Sequence, residues 1–485
     1  MRRSWRIALG IGFGFPLLFI VALVIFYLVE NYRGSRAWAA CQREYQQRGE
    51  SLAPADFAPA PVPDEQNLLA TSPLSAWLNF SSRTPSTNPM PQLSQMEPGL
   101  WQLSRFTRLR EWTEQFGVDP GGRSRRTNIL SATEVMKNFA RFDPGLRELF
   151  AAAAQRPAAR STQNPVSNEQ PGAHLDQTLI PALAIHASAR LALHDPTNAL
   201  ADTLLIFRLA EASKDYPRYG ALQSRAVAIN TALQPIWEGL AVRRWRDSDL
   251  VHLQRALTNI NLLAEAPRTL RGERACAVQT ITARIPRRLQ YSSSYRNWGP
   301  SIQRAWIHAG ISQIGPRGWR QRNIIALCHY YDQYVLEPID AVNEGRSGEA
   351  LRLVSIAFDD FHAGCGFYDA VARINTPNFA FGLPHLLRVQ IGVHQALVAC
   401  ALERHRLAFD ALPGRLQELV PQFLDRLPDS HPPLDYRVEN SGRFTLKVNL
   451  TAEADGWESL PDGGGDRGMI SPAGWRWEYP EPSQR

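Results

Sequence analysis

From Ile7 to Val29 the chain reads IALGIGFGFPLLFIVALVIFYLV, without one charged side chain. As a helix rising about 1.5 Å per residue, this run is long enough to cross the roughly 30 Å hydrocarbon core of a bilayer. Pro16, Gly10, Gly12 and Gly14 do not oppose that reading, because spanning helices tolerate both residue types. Everything after Glu30 is polar enough to stand in water. The expectation is an anchored body, attached to a membrane through residues 7–29.

Charge flanking the run sets its direction. Arg2, Arg3 and Arg6 favour a cytoplasmic N-terminus, while Arg33 and Arg36 on the far side pull the other way. Ala37-Trp38-Ala39 is similar to a signal-peptidase site, and Ala40-Cys41 to a lipoprotein one. The apolar run is longer than a cleaved signal's core, however, and the polar stretch 30–36 intervenes, so an uncleaved signal anchor is expected.

The 485 residues leave room for two or three domains, and 44% hydrophobic content suffices for sizeable cores. Of the 53 basic residues only Lys137, Lys214 and Lys447 are lysines. The arginines are scattered among Asp and Glu and accompany no nucleic-acid-binding module, so nucleic acid is not an expected partner despite a net charge of +7. Cys41, Cys276, Cys328, Cys365 and Cys400 are far apart, with no CxxC. They imply neither a disulfide framework nor a zinc site, and most read as small buried hydrophobes.

A short helix through Arg43 and Tyr45 is predicted after the anchor, followed over 53–98 by a proline-rich spacer with few periodic apolar positions. Residues 128–154 read as helix broken at Asp143-Pro144. Beyond residue 176 the pattern is firmly helical. Ile180, Leu183, Ala184, Ala187 and Leu191 form one stripe, Asp195-Pro196 breaks it, and Leu200, Leu204 and Phe207 begin a second. This helical hairpin, ASARLALHDPTNALADTLLIFRLA, is similar to a tetratricopeptide unit, without a clean run of copies. Pro235 should kink the next helix, and Ser248 is a plausible N-cap for the one after. Further helices are predicted near 268–284, 320–337, 347–360 and 384–409.

Residues 285–322 interleave arginines with aromatics, among them Arg287, Tyr291, Trp298, Trp306 and Trp319. Anionic headgroups or an acidic partner could seat there. A loop whose aromatics fold back on the helices is the favoured reading, since the anchor already supplies membrane attachment. Near the C-terminus Leu434, Tyr436 and Val438 alternate, as do Phe444, Leu446 and Val448, around Glu439-Asn440-Ser441-Gly442. That is a β-hairpin signal.

The fold class is therefore mainly α. A transmembrane helix (1–30) leads to a juxtamembrane helix and Pro-rich spacer (31–126), an α-helical hairpin or repeat-like domain (127–410), and a small α+β module with a β-hairpin (411–485). The last stretch resembles the C-terminal part of type II secretion pseudopilins at Leu419-Val420-Pro421, Leu427-Pro428-Asp429, Tyr436, Gly442, Phe444 and Leu446. It departs from them at the anchor, where Gly14-Phe15 is not followed by the membrane glutamate of those proteins. The whole chain resembles a family of single-pass, membrane-anchored bacterial envelope proteins through PVPDEQN, IWEGLAVRRW, RGERA, GPRGWRQRN and WRWEYP. That likeness implies a bacterial inner membrane with the body in the periplasm, and no activity.

Two constellations could carry chemistry. The pseudopilin likeness implies acidic calcium ligands in the loop after the hairpin, where Asp455, Asp462 and Asp466 sit among glycines. Calcium needs six to eight oxygens, which carboxylates and loop carbonyls can supply, whereas a solvated turn explains the same residues without metal. Asp359, Asp360, His362 and Cys365 lie close enough in FDDFHAGCGFYD to suggest a metal or a thiol nucleophile, although an Asp pair often only caps a helix. His394 and His405 are too far apart on one helix for a metal clamp and read as ordinary helix histidines. No GxSxG, phosphate loop or kinase signature is present.

The expected function is a non-catalytic protein-interaction scaffold with protein partners in the envelope and no resident cofactor. The alternatives are an accessory part of a type II secretion or pilus-like machine, and an envelope hydrolase using the Asp360, His362 and Cys365 cluster.

Overall fold

A computed structural model describes residues 2–71, 74, 100–109, 132–161, 175–176, 178–283, 310, 315–363, 366–376, 379–439, 442–448 and 475–479, with the backbone alone at 2–16, 141, 357–363 and 380–381. The main helices are α1 (Arg2–Gln47), α2 (Ala132–Phe139), α3 (Asp143–Gln155), α4 (Leu179–Ala192), α5 (Pro196–Ala210), α6 (Tyr219–Ala241), α7 (Asp247–Thr258) and α8 (Leu262–Thr282). They are followed by α9 (Arg317–Tyr331), a π-helical turn Asp332–Leu336, α10 (Glu337–Asn343), α11 (Ser347–Ala363), α12 (Ala370–Asn375) and α13 (Phe379–Phe409). The strands are β1 (Leu434–Val438), β2 (Phe444–Val448) and β3 (Arg476–Trp477). The protein is mainly helical with one small antiparallel sheet, as its periodicity predicts.

The contacts gather the chain into two compact units. The first holds residues 1–56, 271–337 and 356–378, and the second holds 57–270, 338–355 and 379–485.

In the first unit α1 runs 46 residues without interruption. The separate juxtamembrane helix expected around Tyr45 is instead its continuation, since Glu30–Arg36 contains no proline and its residues other than Gly34 sustain a helix. From Leu17 to Val29 the large apolar side chains are exposed, Leu18 at 70% and Leu28 at 63%. Past that stretch a narrow seam of Glu30, Gly34, Cys41 and Tyr45 is buried. Spacings of four, seven and four residues place this seam on one face, against α9.

The second unit is built around α4, α5, α6 and α13. Asp195 caps α5 by accepting the Asn198 N–H, with Pro196 at the first helical position, which is why the chain turns there. Helix α7 begins at Asp247 rather than after Ser248. Arg246 stands at the cap, and Asp249, three residues in, accepts its N–H and its guanidinium. Pro235 lies inside α6. Helix α13 is long and apolar enough to span a bilayer, yet 89% of its apolar window is buried against neighbours such as α6 and α7, so it is a core helix.

Over residues 53–71 the spacer is less extended than its composition suggests. Pro54–Phe57, Asp64–Gln66 and Leu68–Ala70 form 3-10 turns, and Leu68 is fully buried. Asn67 explains this. Its side chain caps the last turn and exchanges hydrogen bonds with the backbone of Arg160, fixing the segment from a distance that composition does not report.

The hairpin pairs Leu434 with Val448, Tyr436 with Leu446 and Val438 with Phe444, and Gly442 supplies the positive φ of 69° at its turn. The third strand, from WRWEYP, pairs Leu446 with Trp477. The Gln395 amide of α13 donates to the carbonyls of Leu446 (3.2 Å) and Trp475 (3.1 Å), tying β2 and the residue before β3 to the helix.

Candidate functional site

Helices α1 and α9 run parallel, and their contacts keep one register. The Gly318 N–H donates to Asn31 Oδ1 (3.0 Å), Ser35 meets Gln321 (3.1 Å), Cys41 meets Cys328, and Tyr45 donates to Asp332 Oδ2 (2.6 Å). The offset between partners stays at 286 or 287 residues. Glycine permits this closeness. A Cβ on Gly318 would lie 1.9 Å from the Glu30 carbonyl oxygen, so only a bare backbone fits.

At the end next to the apolar stretch, Glu30 is buried and Oε2 accepts from Trp319 Nε1 (3.0 Å) and Tyr368 Oη (3.1 Å). Trp319 stacks on Phe367 at 5.4 Å and meets Phe26 edge-on at 6.0 Å. Burial, together with the bond to Glu30, raises the Tyr368 hydroxyl above its ordinary range. The described end of the arginine–aromatic segment is a helix where a loop is the favoured reading, with Trp319 folded back on α1, while 284–309 and 311–314 lie outside the described residues.

At the other end lies a charge cluster. The fully buried Arg274 bridges Glu50 and Asp332 and sits 4.5 Å over the Tyr45 ring. Arg48 reaches Asp332 at 3.2 Å. A buried guanidinium is tolerable only when carboxylates surround it, and here two do. The arrangement clasps α1 and α8 through charge rather than offering an open reaction centre.

The second unit contains a cleft of about 440 Å³ between the ends of α7 and α10, the middle of α13 and the loop 424–431. On its wall the Gln390 carboxamide is oriented by two backbone bonds. Its Oε1 accepts Leu262 N–H (2.8 Å) and its Nε2 donates to the Ile260 carbonyl (3.3 Å). Nε2 also donates to His394 Nε2 at 2.9 Å, which places the histidine's proton on Nδ1. Burial pushes His394 down to about 4, with Asp429 opposing, so the imidazole is neutral near pH 7. On the opposite loop His431 Nε2 pairs with Asp429 at 3.0 Å. The cleft thus joins an apolar wall (Ile260, Leu427) to a histidine–aspartate pair, which suits an amphipathic ligand.

Asp359, Asp360 and His362 fall on α11, with side chains outside the described residues, and Cys365 lies outside them altogether. Asp455, Asp462 and Asp466 also lie outside. Neither constellation is brought together or separated by the described structure. Among the described residues no group of three or more His, Cys, Asp or Glu is placed to hold a metal. His405 is structural, its Nδ1–H donating to the Ala411 carbonyl at 2.8 Å. His394 is the one that sequence reasoning undervalued. Its only signal was the distant Asp429-x-His431, with no local spacing to connect them.

Set beside protein-family models, curated proteins and solved structures, the chain matches none.

Proposed function

We propose that the chain is a single-pass protein of a bacterial inner membrane whose body stands in the periplasm and serves as a non-catalytic protein-interaction scaffold. The observation that carries this reading is the continuity of α1. One helix holds the exposed apolar run and then, without a hinge, the seam clamped by α9. The first unit, joined to its anchor by a stiff helix, is held close to the bilayer surface. A flexible tether would let it roam instead. Fixed placement is what an assembly platform needs and a freely diffusing catalyst does not. The arginines before the apolar run support the orientation.

The test has two parts. Protease added to spheroplasts should digest the chain beyond Glu30, whereas a protected body would reverse the topology. Crosslinking of the full chain in living cells should then recover one reproducible set of envelope proteins. Recovery of nothing above background would overturn the scaffold reading.

A further inference from the structure

Cys41 and Cys328 lie 287 positions apart in the chain, yet their thiols interact directly across α1 and α9. They occupy the same register as the Asn31–Gly318 and Tyr45–Asp332 contacts on either side, one turn from the latter. Those flanking bonds and the glycine contact hold α1 and α9 so that the two sulfurs cannot drift apart without breaking several interactions. Both residues are buried, Cys41 at 5% and Cys328 at 0% exposure. The other described cysteines, Cys276 and Cys400, are buried as well.

We propose that Cys41 and Cys328 form a disulfide when the body matures in an oxidising compartment, stapling the anchor helix covalently to α9. This rests on the periplasmic reading above. The chemistry is thiol–disulfide exchange with a disulfide-bearing oxidant. The Cys41 thiolate attacks one oxidant sulfur, the oxidant's S–S bond breaks, and a thiolate leaves. Cys328, deprotonated, then attacks the mixed disulfide at Cys41 and expels the second oxidant thiolate. Two protein thiols lose two protons and two electrons, and the oxidant's disulfide becomes two thiols. Since both sulfurs are buried once the helices have docked, exchange occurs as they close together. Afterwards the same burial shields the bond from soluble reductants.

The experiment uses the full chain in cells quenched with acid and N-ethylmaleimide, extracted in detergent, denatured and digested with trypsin without reduction. Cleavage at arginine yields peptides 37–43 and 323–346, each holding one cysteine of the pair. The expected result is one disulfide-joined species, with the other three of the five cysteines labelled. Cys41→Ser should release Cys328 for labelling, and Cys328→Ser should release Cys41. Separately labelled peptides from cells in which added protease reaches the body would overturn the proposal. If protease cannot reach the body, the periplasmic reading fails by itself, and oxidation of the purified chain with diamide decides the pair. Joining then supports it, and five labels overturn it.

Discussion

Gly34 of α1 and Gly318 of α9 meet backbone to backbone, so that a Cβ on Gly34 would lie 2.3 Å from Gly318 Cα. Because the obstructing atoms are main chain, neither helix can yield locally. Gly318→Ala should therefore force the helices apart and destabilise their pairing by about 1–3 kcal/mol, the usual range for overpacking. Hydrogen exchange of α9 amides would report it as faster exchange along the helix. Gly145→Ala is the counterpart, because α3 has open space there and should gain roughly 0.5–1 kcal/mol from the better helix former.

Arg274→Met keeps much of the buried stem and removes the charge between Glu50 and Asp332. Those carboxylates are about a quarter exposed, so the loss should fall near the lower end of that for a broken buried pair, about 2–4 kcal/mol at pH 7. Denaturant unfolding at pH 7 checks the size.

His394 carries a folded value near 4 against an ordinary 6.5, which means the unfolded chain binds the proton first as pH falls. Stability should therefore decline between about pH 6.5 and pH 4 and be unaffected by this group above that window. His385, also held near 4, adds in the same direction. Asp176, raised to about 7, acts oppositely because its folded form keeps a proton that the unfolded form releases. The clean measurement is a difference. His394→Gln should lose roughly 1–2 kcal/mol less than the wild-type chain between pH 7 and pH 5.

Trp477 is fully buried, 5.1 Å from Trp101, with its indole N–H donating to Tyr479 Oη at 2.9 Å. Tyr479 in turn stacks on Trp237, whose N–H donates to the Glu478 carbonyl. Trp477→Ala should cost about 3–5 kcal/mol. Val438→Ala, on a strand position that is 50% exposed, should stay within about 0.5 kcal/mol. Thermal unfolding of the two variants side by side would separate them by several degrees.

What the sequence determined by itself is local. The uncharged run to Val29, the stripes either side of Asp195-Pro196 and the alternation around Gly442 each appear where periodicity places them, because a helix face or strand face is written within a few turns of chain. Even there, Arg246 rather than Ser248 stands at the cap, held by Asp249, and residues 64–71 of the Pro-rich spacer were drawn into turns by Asn67 reaching Arg160. The tertiary structure alone decided the parallel register of α1 with α9, the pairing of Cys41 with Cys328 and the placing of Arg274 between two carboxylates. It also decided the strand at Trp477 and the cleft that sets His394 across from Asp429 and His431. The reason is physical. In each case the partners lie tens to hundreds of residues apart, and their meeting depends on how whole helices pack, which no short window of sequence encodes.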